Sequence, residues 1–342
     1  MSLSVVILAA GQGTRMKSST PKVLHGVSGK PMLFHAIDAA QTLSDDITVV
    51  LYHQAERIEQ AIADTYDGIL FHEQDAEQFP GTGGAMKGVV TKHERVLILN
   101  GDMPLITTQS LQALVSGNAD INMSVIEMED SSGYGRVIID ESNVKEIIEE
   151  KDCTPEQKMV KTVNAGIYAV KKELLDRYIP ALSNDNAQAE YYLTDIVKMA
   201  VDEGKIVHPV YVKEEEFKGV NSKLDLAEAE VIMQQRIKEK LMMAGVIMRL
   251  PDTIYIDCRA EFEGECIIEN GVSIQGASRI IDSHIKTHSI VEDSILENSD
   301  IGPMARIRPQ SKIIDTHIGN YVEVKKSTLT GVKAGHLSYI GD

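Results

Sequence analysis

Residues 4–16 read SVVILAAGQGTRM, and residues 21–25 read PKVLH. The run from Ser4 to Ala10 is short, apolar and β-branched and stops at Gly11, as a buried strand entering a tight loop does. Gly11 and Gly13 let the backbone approach a ligand closely, so that its N–H groups can cradle phosphate oxygens. Arg15 and Lys22 then supply positive charge. The loop is not the dinucleotide-binding GxGxxG, because Met16 stands where the third glycine belongs. It is not a Walker A loop either, because no GK[ST] follows. A strand, a glycine-rich turn and two cations predict a phosphate-binding loop of another class.

Similar apolar runs recur at Ile47–Leu51, Arg95–Leu99, Ile121–Ile126 and Gly166–Val170, with helical spacing between some of them at Met32–Thr42 and Gln54–Ala63. Strands alternating with helices predict an α/β fold, a Rossmann-like doubly wound mixed sheet. Ligands of such sheets bind beyond the carboxyl ends of the strands. RVLILNGDMPL (residues 95–105) places Asp102 at one such end. Its carboxylate suits Mg²⁺, a hard cation that takes one or two protein ligands and fills its remaining positions with water and phosphate oxygens. The competing reading is a turn or helix-cap aspartate before Pro104. Nucleotidyl transfer onto a phosphate needs little more, since that nucleophile is already ionised at neutral pH. Alignment and neutralisation of charge are what the transition state demands.

The whole chain has 342 residues and a net charge of −17. That balance argues against nucleic-acid or anionic-membrane partners, which call for a basic face. An anionic substrate must therefore be held by local cations, backbone N–H groups and a metal. No apolar run reaches the roughly 20 residues that span a bilayer, and the start carries no basic leader, so a cytoplasmic protein is expected. Cys153, Cys258 and Cys266 lack the number and spacing of a disulfide framework or a zinc site.

After about residue 225 the pattern changes. Leu226–Met243 is rich in helix formers without Gly or Pro. Past Pro251, aliphatic residues recur every five or six positions: Ile268, Ile274, Ile280, Ile285, Ile290, Ile295, Ile301, Ile307, Ile313, Ile318 and Val324. That period fits neither strand alternation nor helical spacing. It fits a parallel β-helix with one inward aliphatic residue per face, whereas a β-sandwich would alternate within strands and turn every 8–12 residues. The expected organisation is an α/β domain with the phosphate-binding loop over 1–225, a linker helix over 226–250 and a β-helix over 251–342. The repeat stops at Asp342 in mid-pattern, so truncation or capping by partner chains is expected.

Taken together, these residues resemble the sugar nucleotidyltransferases. More narrowly, they resemble the bacterial bifunctional N-acetylglucosamine-1-phosphate uridylyltransferase / glucosamine-1-phosphate N-acetyltransferase family. The resemblance runs nearly end to end. It rests on LAAGQGTRM and PKVLH, PGTGGA (80–85), GDMPL, GYGR (133–136), IIEEKD (147–152), VNAGIY (163–168), the segment from Asn184 to Asp195, GVNSKLDL, ARIRP and KAGHLSY. It implies transfer from UTP to N-acetylglucosamine 1-phosphate, giving UDP-N-acetylglucosamine for peptidoglycan and lipopolysaccharide precursors. Leu8, Ala9, Ala10 and Gly11 would line the uridine pocket with Gln74, Gly81 and Thr82. QDAEQFPGTG is two residues longer than the usual spacing, which leaves Gln78 as a rival to Gln74. Arg15 and Lys22 would contact phosphates, and Asp102 and Asn221 would hold Mg²⁺. Gly135, Glu149, Asn164, Thr194 and Asn221 would face the sugar.

For the C-terminal part the resemblance implies a left-handed β-helix and a homotrimer. Arg308 and Lys325 would bind the sugar phosphate, Tyr339 the sugar, and His336 would act as general base in acetyl transfer from acetyl-CoA. The family's acetyl-CoA pocket lies downstream and on a neighbouring subunit, so only part of the second site is expected here. Two rival readings stand beside this one. The first is a uridylyl- or thymidylyltransferase for another hexose 1-phosphate, which leaves KAGHLSY unexplained. The second is a catalytically silent trimeric scaffold, which predicts decay of Arg15, Lys22, Asp102 and Asn221, all of which are intact.

Overall fold

A computed structural model describes residues 2–148, 150–186 and 188–341. The chain forms two compact units. One comprises Met1–His25 and Pro31–Leu226, and the other Gly26–Lys30 and Ala227–Asp342.

The first unit is built on a mixed sheet. Its strands begin with β1 (Leu3–Leu8); a short hairpin, β2 (Gly26–Val27) and β3 (Lys30–Pro31), intervenes, and β4 (Asp46–Leu51) and β5 (Leu70–Glu73) follow. Then come β6 (Arg95–Asn100), β7 (Ile121–Glu127), β8 (Arg136–Asp140), β9 (Asn143–Ile148), β10 (Thr162–Lys171) and β11 (Val207–Tyr211). The order across the sheet is β11-β7-β10-β6-β1-β4-β5, with β8 pairing β10 and β9. The β1, β4, β5 and β6 pairings are parallel, while β10 runs antiparallel to both β6 and β7. Its helices are α1 (Met32–Gln41), α2 (Ala55–Ala63), α3 (Thr108–Val115), α4 (Lys172–Ala181), α5 (Asp195–Asp202) and α6 (Glu214–Phe217), and α7 (Lys223–Met243) starts at its end and belongs from Ala227 to the second unit.

Side chains alternate across a strand, and here both faces are covered. Val5, Ile7, Leu97 and Leu99 pack with Ile37, Ile58 and Leu111 of α1, α2 and α3. Val6, Val96 and Ile98 pack with Leu175 and Ile196 of α4 and α5. Burial on both sides is why these strands read as unbroken apolar runs. The strands without such a run are peripheral. Leu70 of the edge strand β5 is exposed, and the β8–β9 hairpin carries exposed charges at Lys145 and Glu146.

In the second unit, short parallel strands from Ile247–Met248 to Tyr339–Ile340 stack into three sheets of six, six and five strands among the described residues. This is the parallel β-helix that the six-residue period predicts. Three inward columns fill it: Ile268-Ile285-Ile301-Ile318, Ile274-Val291-Ile307-Val324 and Ile280-Leu296-Ile313-Leu329. Two positions differ from the expectation. Val291 and Leu296 are fully buried, whereas Ile290 is half-buried and Ile295 exposed. Each strand there carries two adjacent aliphatic residues, and a one-residue step exchanges the inner and outer faces.

The corners are made by non-glycine residues in the left-handed region, among them Asp282, His288, Asp293, Asn298, Met304, Gln310 and Asp315. Asn and Asp tolerate that conformation best of the side-chain-bearing residues. Hydroxyls satisfy the corner amides in ladders. Ser278 accepts from the Ser294 N–H, Ser294 from Ser311, Ser283 from Ser299 and Ser299 from Thr316. No helix among the described residues is long and apolar enough to cross a membrane.

Candidate active site

The site lies at the carboxyl ends of β1, β4 and β6. The Ala9 N–H donates to the Val50 carbonyl, and the Gly101 N–H to the Leu8 carbonyl, both at 2.9 Å. These bonds bring the glycine-rich loop and the Gly101-Asp102 turn side by side. Gly13 has φ +62°, and a Cβ there would lie 2.5 Å from the Lys22 Cβ, so the loop folds directly over the lysine stem. The Lys22 ammonium donates to Asp102 Oδ2 at 2.5 Å and to the Asn221 side-chain oxygen at 2.9 Å. Both partners of the ion pair are largely shielded, with side chains 11% and 19% exposed, and shielding strengthens a charge-assisted bond.

Asn221 reaches this point because the chain is pinned on both sides. The Val220 N–H donates to the Asp102 carbonyl at 2.9 Å. The Asp225 carboxylate accepts the N–H groups of Asn221 and Ser222 at 3.0 and 2.8 Å, and Ser222 Oγ accepts the Asp225 N–H at 3.2 Å. That reciprocal pair is a capping box opening α7. Asp102 and Asn221 thus turn two oxygen donors onto one cation, the Lys22 ammonium. Among the described residues no group of three His, Cys, Asp or Glu is placed to hold a metal. A carboxylate and a carboxamide oxygen converging on one positive centre is nonetheless a donor set that fits Mg²⁺ completed by water and phosphate.

Beside this cluster opens a cleft of about 510 Å³, lined by Leu8, Ala9, Ala10, Gly11, Lys22, Gln74, Gly81, Thr82 and Asp102 among others. That volume suits a small-molecule ligand. Of the rival glutamines, Gln74 is buried in the lining and Gln78 is exposed outside it. The Gln74 Nε2 donates to the carbonyls of Phe79 and Gly81 at 2.9 and 3.1 Å. Tyr52, Asn100 and Glu190 also line the cleft and were not singled out from sequence. Tyr52 follows β4 and Asn100 ends β6, so the rule that strand ends face the ligand would have found both.

The other expected residues are spread more widely. Arg15 is exposed on the loop and is not part of the lining. Gly135 and Asn164 are joined by a 3.0 Å bond from the Asn164 N–H. The Asn164 carboxamide accepts the Gly166 N–H and bonds the Tyr168 hydroxyl. Thr194 stands at the N-terminal cap position of α5. Glu149 lies outside the described residues. Its neighbour Glu150 pairs with the buried Arg136 at 2.6 Å.

In the second unit, Arg308 pairs with Glu323 at 3.0 Å. Parallel pairing sets Glu323 beside Tyr339. The Lys325 N–H donates to the Ile340 carbonyl at 2.9 Å. His336 is exposed, and its Nδ1 accepts the Asn320 N–H at 3.1 Å.

Residues 5–215 match the MobA-like NTP transferase domain family. The bifunctional protein GlmU of a Sulfurovum species is 74% identical over 342 residues, covering all of this chain and 80% of that protein. The chain belongs to the GlmU family. Another GlmU relative, from a Nitratiruptor species, is 58% identical over the same 342 residues and is covered to 80%. The GlmU protein of Aliarcobacter butzleri is 59% identical over 339 residues, which is 99% of this chain and 78% of that protein.

Solved structures show the fold of the first unit. The inositol-1-phosphate CTP transferase of T. maritima aligns with TM-score 0.55 at 16% identity, over 68% of this chain and 95% of that one. A putative glucose-1-phosphate thymidylyltransferase of Bacillus anthracis aligns with TM-score 0.53 at 19% identity, again over 68% and 95%.

Proposed function

We infer that this GlmU-family chain converts UTP and N-acetylglucosamine 1-phosphate to UDP-N-acetylglucosamine and pyrophosphate. The observation that carries the reading is the Lys22–Asp102–Asn221 cluster at the edge of the cleft under the glycine-rich loop. A phosphate oxygen of the sugar phosphate attacks the α-phosphorus of UTP. A P–O bond to that oxygen forms, the α–β bridging P–O bond breaks, and pyrophosphate carries off the electron pair. Lys22 neutralises the charge that gathers on the phosphates, and loop N–H groups around Gly11 cradle them. Asp102 and Asn221 would hold Mg²⁺, which when bound supplies Lewis-acid neutralisation of the phosphate oxygens. Gln74, Gly81 and Thr82 face the base. Gly135, Glu149, Asn164 and Thr194 take the sugar, and Arg15 closes on the phosphates from the exposed loop.

On the second unit, Arg308 and Lys325 would bind the sugar phosphate and Tyr339 the sugar, with His336 taking the amine proton during acetyl transfer from acetyl-CoA. With Nδ1 accepting the Asn320 N–H, the neutral His336 ring carries its proton on Nε2. Accepting a further proton on Nδ1 requires that bond to open. The same reading puts the protein in the cytoplasm, as a homotrimer associating through its β-helix.

The test is pyrophosphate release from UTP and Mg²⁺ with N-acetylglucosamine 1-phosphate, glucosamine 1-phosphate and glucose 1-phosphate side by side. Release selective for the N-acetylated sugar is expected. Preference for glucose 1-phosphate would favour the other-hexose reading, and no release with any sugar would favour the silent scaffold. Asp102→Ala should abolish turnover with the fold retained by circular dichroism, and Lys22→Ala should raise the KM for UTP.

A further inference from the structure

Behind the base side of the cleft sits a cluster that the lining does not include. The Lys87 ammonium lies 5.0 Å from the Phe79 ring centroid and 4.5 Å from that of Tyr191. The two rings meet edge-on, 5.8 Å apart at 63°. Backbone bonds tie the same three segments together. The Lys87 N–H donates to the Gly84 carbonyl at 3.0 Å, and the Gly83 N–H to the Tyr191 carbonyl at 2.8 Å. The Tyr191 N–H donates to the Pro80 carbonyl, also at 2.8 Å. Gly81, with φ +92°, runs so close that a Cβ would meet the Tyr191 carbonyl oxygen at 2.6 Å.

The cluster matters because of what Phe79 does next. Its carbonyl and that of Gly81 take both hydrogens of the Gln74 amide. Two carbonyl acceptors admit only the NH₂ end of the side chain, so the Gln74 oxygen is the end left for the cleft. An acceptor there matches uracil, which carries N3–H, and opposes cytosine, whose N3 is itself an acceptor. If the Phe79 carbonyl loosens, the amide can turn and offer N–H instead, which matches cytosine.

We propose that Lys87, by cation–π contact with Phe79 and Tyr191, is a positioning residue that locks the Gln74 amide and thereby sets selection of uracil over cytosine. The proposal rests on the reading above that Gln74 faces the base. The experiment measures kcat and KM for UTP and for CTP with the full chain, Mg²⁺ and N-acetylglucosamine 1-phosphate. Lys87→Met keeps the stem and removes the charge, and Lys87→Arg keeps a cation over the rings.

Lys87→Met is expected to lower the UTP-over-CTP ratio of kcat/KM about tenfold. The loss should fall on the KM for UTP, with kcat at saturating UTP within about twofold, and Lys87→Arg should restore most of the ratio. An unchanged ratio in Lys87→Met, or equal losses with both triphosphates, would overturn the proposal and leave Lys87 a purely structural residue. A parent chain that shows no preference for UTP would overturn the Gln74 reading, and the proposal with it. That outcome is told apart by the parent's own ratio.

Discussion

Asn221 is an ordinary polar residue made useful by its neighbour. Burial pushes the Asp225 carboxyl up, but the Asn221 N–H, the contacts with Ser222 and the Lys218 charge together hold it below the ordinary carboxylate value. The sign follows from a folded pKa below the unfolded one. The stabilisation is complete above the unfolded pKa, about 4, and is lost as pH falls through the lower folded value. Asp225→Asn should therefore remove part of the acid-side loss of stability in pH-dependent denaturation. If Asn221 holds Mg²⁺ as proposed, it should also weaken Mg²⁺-dependent turnover about 10–100-fold, as changes behind a metal ligand do; an unchanged Mg²⁺ titration would show that Asn221 holds its place without Asp225. At this scale legibility depended on chemistry that shows in the letters. Lys22 and Asp102 stood next to glycine-rich turns after apolar strands, so their place in the cleft could be read. Tyr52 and Asn100 were within reach of the same strand-end rule, whereas Glu190 belongs to the cleft only because a distant loop converges there, which no local pattern records.

For the elements, the difference lies between period and register. The five-to-six-residue period of the repeat announced a β-helix, and the three inward columns agree with it. Register at Ile290-Val291 and Ile295-Leu296 was not legible, because both residues of each pair are aliphatic and only the neighbouring coil decides which turns inward. Leu296→Ala should cost about 2–5 kcal/mol by leaving a cavity, whereas Ile295→Ala should cost under about 1 kcal/mol. Denaturant unfolding of the two variants checks this, and equal losses would mean the register is wrong. The corner hydroxyls carry a second signal that sequence reading passed over. Ser278, Ser294 and Ser311 recur at intervals of one coil because each caps the amide of the next. In the first unit, the strands buried on both faces were legible as apolar runs. The edge strand β5 and the β8–β9 hairpin were not, since partial exposure breaks the run.

At the scale of the whole molecule, the division into two units follows the chain except at one place. Gly26–Lys30 belongs to the second unit although it lies between Lys22 and α1 in sequence. There Ser28 bonds Glu230 and Gln234, and its carbonyl accepts the Cys258 N–H. Gly29 has φ +87°, and a Cβ on it would lie 1.8 Å from Asp257 Oδ2, an oxygen already paired with Arg259 at 2.8 Å. Gly29→Ala should destabilise the second unit by about 2–4 kcal/mol. Calorimetry should show two transitions, only one of them lowered; a single transition shifting as a whole would mean that the units do not melt apart. The expected boundaries at residues 225 and 250 had no means of revealing this segment, because nothing in GVSGK announces a partner some two hundred residues away. The arrangement also bears on how the protein is made. A ribosome adding roughly 5–20 residues per second delivers Ser28 roughly ten to forty seconds before Glu230 and Gln234 exist. The newborn chain must carry that tongue without its partners while the strands of the nucleotidyltransferase sheet, all of them encoded before residue 212, are already complete.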